Sequence, residues 1–544
     1  MENPQLLAKV NPPNWLKFLV ISLIAIGIFF RFAHIGQKFY WGDECFTSLA
    51  ISGHTLAEVQ QEIFNHQTPI PVTTVEKYQH IDPERTVADT VNYLITSDPQ
   101  HPPLYYATVR LWAQVFGDSP VVLRSLSALF SLLIFPSVYW LCLELFESPV
   151  VGWIAMALMA VSPLQVVFAQ EARQYSLWMV TVLISSAALL RAIRRDNKLG
   201  WAVYALTLTL GLYTHLLTVL VVTAFGIYVV ISQRRIQTIL NYIMSAAAAF
   251  LLFTPWIIVF INNLETALQL TFGWTLKIID NPWDRIAIFL MRATRTFFDI
   301  NLASDSFWIE TVTQESPFVY GIFTLTLASI LIVFLSIIFA KIIPKNAGTF
   351  LVCMASFTGI FILAYDLIFG GIRSLLIRYQ LPLCLSLEIA IAYGITFYVF
   401  APKSHEKIVG GVIIAGLVIA GLVSDVTLFQ AESWWTQIEG KYIMNIAQIT
   451  NQSESPLLIS NNSPLMVGTI LALSHRLEPK VHLLSPLDNQ LIKIPQDYRQ
   501  IFLFYRKNSW FNQLEQDEDY DLTYAFDLPG PLGGLWRFEK LARS

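Results

Sequence analysis

The sequence predicts a polytopic α-helical membrane protein that ends in a small α/β domain. The 544 residues are 55% hydrophobic and only 14% charged, whereas an ordinary soluble domain carries about 25% charged residues. Apolar runs of the roughly 20 residues that a spanning helix needs recur until about residue 430. Beyond that point the runs shorten and polar residues become frequent.

About eleven stretches fit the length and apolarity of a spanning helix. Two of them, residues 175–190 and 201–213, are short, so the count depends on whether both cross the bilayer. The eleven stretches begin near Trp15, Val121, Val150, Tyr175, Gly200, Leu216, Thr238, Phe318, Gly348, Leu381 and Val409.

Lysine and arginine predict the orientation of these spans. Cytoplasmic loops carry an excess of both residues, and a cytoplasmic amino terminus puts the basic residues of the short loops on that side. These residues are Lys9, Lys17, Arg191, Arg194, Arg195, Lys198, Arg234, Arg235, Lys341, Lys345, Lys403 and Lys407. Residues 34–120, residues 262–316 and the tail after about residue 428 are then extracytoplasmic, and we expect functional residues there.

The tail differs in pattern from the rest of the chain. Strand-like runs at 456–460, 481–485 and 501–505 alternate with helical or polar stretches. We therefore predict two domains, a transmembrane domain over residues 1–429 and a soluble extracytoplasmic α/β domain over residues 430–544. Within the first, residues 34–120 form an outer loop whose short apolar run at 104–116 predicts a helix at the membrane interface.

The net charge and the lack of inverted repeats argue against a nucleic-acid-binding protein and against a transporter. The net charge is −4 and no block of five or six like charges occurs, so nucleic acid is not an expected partner. No inverted repeat or pair of broken spans marks two corresponding halves of the chain, so a transporter architecture gains little support.

Two adjacent carboxylates follow the first span. Asp43 and Glu44 come directly after Tyr40, Trp41 and Gly42, close to the membrane surface. Aromatic residues are common at this boundary, so one interpretation is that the two acids only mark where water begins. The other interpretation is that they are catalytic, because ionisable groups held near a membrane are frequently functional.

A second acidic position lies in the very short outer loop after the third span. Glu171 and Arg173 are two residues apart, so they would not face each other on a helix. They either form part of a solvated turn or belong to a site. In the second case Glu171 faces Asp43 across a cleft, and Arg173 holds that carboxylate or an anionic ligand.

Five arginines lie near the outer boundary, where basic residues should be sparse. Each could extend to lipid head groups, but guanidinium groups also bind phosphate through paired hydrogen bonds. Five on the face that carries Asp43 and Glu171 favour an anion site. They are Arg31, Arg124, Arg173, Arg373 and Arg378.

These motifs together resemble those of the GT-C membrane glycosyltransferases. The nearest group is the family of dolichyl-phosphate-mannose protein mannosyltransferases with its bacterial relatives, the aminoarabinose and galacturonic acid transferases of lipid A. The resemblance is good over residues 15–235, looser to 430 and weak in the tail. The motifs that carry it are Trp41-Gly42-Asp43-Glu44, His101-Pro102-Pro103-Leu104-Tyr105-Tyr106 with Gly117 and Arg124, Gln170-Glu171-Ala172-Arg173-Gln174-Tyr175, and Arg378-Tyr379 with Pro382.

The resemblance implies an enzyme whose donor is a sugar linked to a polyprenyl phosphate. An acidic residue of the first outer loop acts as base in such enzymes, which here is Asp43, and the second outer loop adds an acid, which here is Glu171. We predict Asp43, Glu44 and Glu171 as catalytic residues. We predict a substrate-binding set of Arg173, Tyr175, His101, Tyr105, Arg124, His215, Arg378 and Tyr379.

For His101 and His215 a structural role stays open, because two prolines follow His101 and a lone histidine is more often a structural group. Most enzymes of this kind need no metal, the sequence has no metal-ligand spacing such as two histidines four apart on a helix, and no cofactor is predicted. The expected partners are the lipid-linked donor, membrane lipids and a lipid, glycan or protein acceptor, at a bacterial plasma membrane.

Two other functions compete with this one. A transporter or flippase of lipid-linked sugars would also need many spans and outer arginines, but it predicts charged residues along a path to both faces. A non-catalytic scaffold with a partner-binding tail would leave the paired acidic loops unexplained.

Overall fold

A computed structural model describes most of the chain. The described residues are 10–64, 68–272, 275, 281–300, 317–436, 440–460, 464–485, 497–504, 512, 515–516, 520–527 and 534–540. Over these ranges the chain is mainly helical as far as residue 430 and mixed beyond it.

Long apolar helices make up the membrane region. Proline lies in the first turn of four of them, at Pro120, Pro149, Pro163 and Pro382, where its missing N–H would have no partner. The helices of this region are α1 (Asn14–Phe32), α7 (Pro120–Leu132), α8 (Ile134–Phe146), α9 (Pro149–Ala160), α10 (Pro163–Ala169), α11 (Tyr175–Arg195), α12 (Lys198–Thr214), α13 (Thr218–Ser232), α14 (Ile236–Asn262), α17 (Pro317–Lys341), α18 (Lys345–Ala355), α19 (Phe361–Phe369), α20 (Leu381–Val399) and α21 (Ser404–Gln430).

Seven helical segments of the described chain are long and apolar enough to cross a membrane, and the bent pair α9 and α10 would make an eighth. Helix is present at all eleven predicted stretches, but the count of eleven spans is not confirmed, because several of these helices fall below the required length. The chain is an integral multi-pass membrane protein.

Residues 34–120, the segment predicted to be the first outer loop and called so below, contain short helices. They are α2 (Gly42–Ser52), α3 (Leu56–Val59), α4 (Thr73–Glu76), α5 (Val87–Ser97) and α6 (Leu104–Phe116). Thr55 and Thr86 each form a capping box with the acid three residues on, which satisfies N–H groups at the start of a helix. The predicted helix at 104–116 is present as α6.

Two further helices, α15 (Leu264–Phe272) and α16 (Pro282–Thr294), follow α14. Two short 3-10 turns, Arg373–Leu375 and Ile377–Tyr379, connect α19 to α20. These turns matter for the site because they bring Arg378 back toward the first outer loop.

The described C-terminal residues form helices and five strands of a six-stranded sheet. The helices are α22 (Gly440–Asn451) and α23 (Pro464–Ser474), and the strands are β1 (Ile70–Pro71), β2 (Pro456–Ile459), β3 (His482–Leu484), β4 (Gln500–Phe504), β5 (Tyr520–Asp527) and β6 (Gly534–Lys540). The strand order is β1-β3-β2-β4-β6-β5. Strand β2 is parallel to β3 and β4, and the other pairs are antiparallel.

One strand of this sheet comes from the first outer loop. Ile70 and Pro71 pair with Leu483 and His482, so the loop and the tail share a sheet and lie on the same side of the membrane. The division at residues 429 and 430 stays a prediction, but the sheet reaches across it.

The tail also packs on α2. Gly42, which begins α2, approaches Gly468 of α23 so closely that a Cβ on Gly42 would lie 3.6 Å from the Gly468 backbone. His475 meets the ring of Tyr40 edge on, with 5.0 Å between ring centroids. The hydrophobic core is continuous from the membrane helices through the first outer loop, including residues of α2, to one face of the sheet.

Candidate functional site

The start of α2 carries the two predicted acidic residues. Asp43 and Glu44 lie in its first turn, where the helix dipole favours negative charge. Consecutive helical residues point about 100° apart, so the two side chains enter different surroundings. Glu44 is fully buried, whereas 29% of the Asp43 side chain is exposed.

Glu44 forms a buried ion pair with Arg124 of α7. Its Oε1 accepts from Nε of Arg124 at 2.7 Å and its Oε2 accepts from Nη2 at 2.6 Å. The backbone N–H of Ala172 donates to the same Oε1 at 2.8 Å. Glu44 therefore joins α2 to both the start of α7 and the second outer loop.

Arg124 has no donor left for a ligand. Its remaining N–H groups donate to the carbonyl oxygens of Ile35, Lys38 and Phe39 at 2.8 to 3.0 Å. An arginine has five N–H donors, and here all five are used within the protein. The structure therefore places Glu44 and Arg124 behind the site, where they hold loops in position.

Asp43 faces the other way and pairs with Arg378. Nη1 of Arg378 donates to Oδ2 of Asp43 at 2.8 Å, and 15% of the Arg378 side chain is exposed. The guanidinium lies near the rings of Trp41 and Tyr379, at 5.8 and 5.7 Å from their centroids. This pair is partly open to solvent, so a ligand can reach both charges.

Arg173 contacts the backbone of Asp43. Its Nη1 donates to the backbone oxygen of Asp43 at 3.0 Å and to Oγ1 of Thr47 at 3.3 Å. Its Nη2 lies 3.0 Å from Nε2 of His101. Arginine only donates, so Nε2 is the acceptor, and Nδ1 carries the proton that is donated to Asp98 at 2.8 Å. Asp98, His101 and Arg173 thus form a hydrogen-bonded chain that ends beside Asp43.

Glu171 is buried beside this chain. Neither of its carboxylate oxygens has a hydrogen bond of good geometry among the described residues, although the side chain of Thr436 lies close enough to interact with it. Burial and the charge of Glu44 raise the pKa of Glu171 to about 8, while Thr436 and Arg378 act in the opposite direction. At neutral pH this side chain is therefore mostly a neutral acid.

His215 and two tyrosines close the wall of the site behind Arg378. The ring of His215 stacks on Trp178 at 4.2 Å, and the rings of Tyr175 and Tyr379 lie 6.3 and 6.5 Å away. Burial, together with the positive charges of Arg173 and Arg378, lowers the pKa of His215 far below its usual value. His215 is therefore a neutral residue in this wall.

Tyr105 is fully buried and does not line the open face. Its hydroxyl lies 2.8 Å from Oγ of Ser127, which in turn donates to the backbone oxygen of Arg173 at 3.3 Å. Tyr105 thus supports the loop that carries Arg173.

Of the five outer arginines, two reach the site. Arg31 donates to backbone oxygens of α1 and α9, Arg124 is used by Glu44, and Arg373 pairs with Asp366 at 3.0 Å. Arg173 and Arg378 flank Asp43.

Sequence reasoning missed three residues of the site. Thr47 lies one helical turn after Asp43, a spacing that puts both on one face, so the signal was present. Asp98 stands three residues before its partner His101 and was also within reach of local reasoning. Thr436, beside Glu171, follows the last span by several residues, and nothing in its local sequence marks it.

Among the residues that the structure describes, no group of three or more His, Cys, Asp and Glu side chains is arranged to hold a metal ion. The groups assembled around Asp43 are instead one accessible carboxylate, two guanidinium groups and a neutral buried acid. Such a set can accept a proton and bind an anion.

Comparisons with known proteins agree with this architecture. Residues 100–259 match the model of a family described as dolichyl-phosphate-mannose-protein mannosyltransferase. The fold resembles the crystal structure of ArnT from Cupriavidus metallidurans in the apo state, with a TM-score of 0.54 and 11% sequence identity, over 96% of this chain and 98% of that one.

A second crystal structure of ArnT, bound to undecaprenyl phosphate, matches with a TM-score of 0.51 and 11% identity, over 95% of this chain and 97% of that one. No curated protein matches the sequence significantly. The likeness extends over nearly the whole chain, and the predicted fold class is confirmed.

Proposed function

We propose, from the GT-C fold that this chain shares with ArnT, that it is a membrane glycosyltransferase that takes a hexosyl or pentosyl group from a polyprenyl-phosphate-linked donor. The matched family is described as using dolichyl-phosphate-mannose, and one ArnT structure holds undecaprenyl phosphate. Both descriptions point to a donor whose leaving group is a lipid phosphate. The acceptor is a hydroxyl or amine of a lipid, glycan or protein.

The single observation that carries this proposal is the contrast between the acids around α2. Glu44 and Glu171 are fully buried, whereas Asp43 is accessible and stands between two guanidinium groups. A general base must reach the proton that it removes. Of these three carboxylates, Asp43 meets that condition.

In the proposed reaction, Asp43 removes the proton of the acceptor group as that group attacks the anomeric carbon. The bond between this carbon and the phosphate oxygen breaks, and the oxygen keeps the electron pair. Attack and departure take place on opposite faces of the sugar in a single displacement, so the configuration at the anomeric carbon is inverted.

Arg378 and Arg173 stabilise the departing phosphate in this scheme, and Tyr379 lies next to Arg378. Preorganised donors aimed at developing charge are frequently the largest source of rate enhancement. Arg173 is held in place by the Asp43 carbonyl and His101, so it loses little freedom on binding the anion. The protonated state of Glu171 removes one negative charge from the neighbourhood of both arginines.

The site lies on the extracytoplasmic side in this proposal. Residues 34–120 and the tail are held in one sheet, and the lysine and arginine pattern of the short loops puts both outside. We propose the bacterial plasma membrane as the location.

The test is a transfer assay with purified protein. Undecaprenyl-phosphate sugars labelled in a hexose or a pentose are incubated with lipid, glycan and peptide acceptors, and Asp43→Asn serves as the matched inactive variant. Labelled product that depends on Asp43, with an inverted anomeric centre by NMR, is the expected result. Labelled lipid that crosses a proteoliposome membrane without sugar transfer would instead favour a flippase.

A further inference from the structure

The span that precedes the second outer loop is broken. Helices α9 and α10 meet at an angle of 63° around Val161 and Ser162, and Pro163 starts α10. The last carbonyls of a helix lack partners inside it. Nη2 of Arg31 donates to the oxygen of Met159 at 2.8 Å and Nη1 donates to that of Ala160 at 2.9 Å. An arginine of α1 thus caps the end of α9.

The residue that follows α10 is also bonded to α1. Nε2 of Gln170, the residue after α10, donates to the oxygens of Phe30 at 2.6 Å and Ala33 at 3.0 Å. Helix α10 has only seven residues, and α1 is bonded to the chain on both sides of it, to the end of α9 before it and to Gln170 after it. We call Arg31 and Gln170 the α10 clamp.

Two glycines let neighbouring helices reach the break. A Cβ at Gly27 of α1 would lie less than 3.0 Å from the oxygen of Ala160, and one at Gly421 of α21 would lie equally close to the oxygen of Val161. Each obstacle is backbone, which cannot rotate away as a side chain can. By contrast, a Cβ at Gly416 of α21 would meet nothing within 4 Å.

Gln170 of the α10 clamp is next in sequence to the residues of the site. Gln170 directly precedes Glu171, the Ala172 N–H is bonded to Glu44, and Arg173 contacts Asp43. We propose that Arg31, Gln170, Gly27 and Gly421 are positioning residues that set the location of Glu171 and Arg173. None of the four touches Asp43 among the described contacts, so they act through α10. The kinetic part of this inference rests on the proposed glycosyltransferase function.

The experiment compares Gly421→Ala and Gly27→Ala with Gly416→Ala as the matched control in the same lipid nanodiscs. Hydrogen–deuterium exchange of peptides that cover residues 168–176 reports the loop directly, because the Ala172 amide is protected by its bond to Glu44. We expect faster exchange there in Gly421→Ala and Gly27→Ala, and the parent rate in Gly416→Ala.

The transfer assay gives the second readout. A displacement of about 1 Å at a reacting group can cost about 10²-fold in rate, so we expect kcat to fall by about 10²-fold in both variants with the KM for donor within threefold. Arg31→Met is expected to behave in the same way, and Arg31→Lys to recover part of the rate because an ammonium can donate to the same carbonyls.

Each outcome decides the inference. Unchanged exchange over residues 168–176 in Gly421→Ala and Gly27→Ala overturns it, even if melting temperature falls. Faster exchange with unchanged kcat also overturns it, because the loop position would then not matter for transfer. If the parent protein transfers no sugar, the proposed function fails, while the exchange data still support or reject the clamp.

Discussion

Two ion pairs that start on adjacent residues of α2 differ in almost every physical respect. The pair of Glu44 and Arg124 is fully buried and has every arginine donor in use. The pair of Asp43 and Arg378 joins residues 335 positions apart and is partly open to solvent. Burial, and not acidity or position in a motif, therefore separates a group that supports a site from one that can react.

The largest effect is expected from the pair of Asp43 and Arg378, which we call the open pair. Asp43→Asn keeps the shape of the side chain but removes the base, so the rate of sugar transfer should fall by about 10²- to 10⁴-fold. The labelled-donor assay measures this directly. If the purified variant transfers sugar at the parent rate, Asp43 is dispensable, and exposure does not identify the carboxylate that reacts.

For the pair of Glu44 and Arg124, which we call the closed pair, substitution should lower the stability of the protein. Glu44→Gln leaves the Arg124 charge buried without its partner, which typically destabilises a protein by about 3–5 kcal/mol. Equilibrium unfolding measures the loss. Asp43→Asn is the control, because a partly exposed pair contributes about 1 kcal/mol or less. Equal destabilisation by both variants would contradict the division into closed and open pairs.

Arg378 tests the anion-binding side of the open pair. Arg378→Gln removes a donor to the departing phosphate, so kcat/KM should fall by about 10²- to 10³-fold, and affinity for undecaprenyl phosphate should weaken. Arg373→Gln alters another outer arginine that pairs with Asp366 and should leave this affinity within a factor of about three. Native mass spectrometry of lipid binding distinguishes the two variants. An equal loss of affinity for undecaprenyl phosphate in both would mean that Arg378 has no special role in binding the anion.

The smallest effect concerns Glu171, which lies between the two pairs. Its pKa is raised from 4.5 to about 8 in the folded protein, so its contribution to stability is present below about pH 4.5 and is lost as pH rises through 8. Glu171→Gln cannot ionise. Its stability relative to the parent should therefore rise as pH increases from 5 to 9, measured as a growing difference in melting temperature across that range.

A constant difference across these pH values would mean that Glu171 is already ionised at pH 5. Asp89→Asn provides a comparison, because the hydrogen bonds that Asp89 makes to Thr86 lower its pKa, and its contribution therefore changes only at acid pH.

Local pattern predicted the helices and several of the residues that lie around Asp43. Helix is present at all eleven apolar stretches, since a spanning helix needs only a run of consecutive apolar residues. The residues Asp43, Arg173, His101 and Arg378 come from segments far apart in the chain and lie together in the structure, and their roles in catalysis stay predictions. The same pattern could not tell Asp43 from Glu44, because the partner that buries Glu44 lies 80 positions away.

Local pattern ended the third span at Ser162 and Pro163, because proline interrupts a helix. It did not show which neighbouring helices hold the chain at this break. The break is held by Arg31 of α1 and by close approach of Gly421 from α21. Contacts of this kind depend on which helices become neighbours.

Length, apolarity and charge act locally along the chain. From them the sequence alone indicated that the chain spans a membrane, where its helices lie and which residues were candidates for chemistry. The tertiary structure decided which carboxylate of α2 is accessible, which two of five arginines reach it, and that the tail completes its sheet with Ile70 and Pro71. These outcomes depend on burial by distant segments, and burial fixes whether a charge is paired, neutral or available to a ligand.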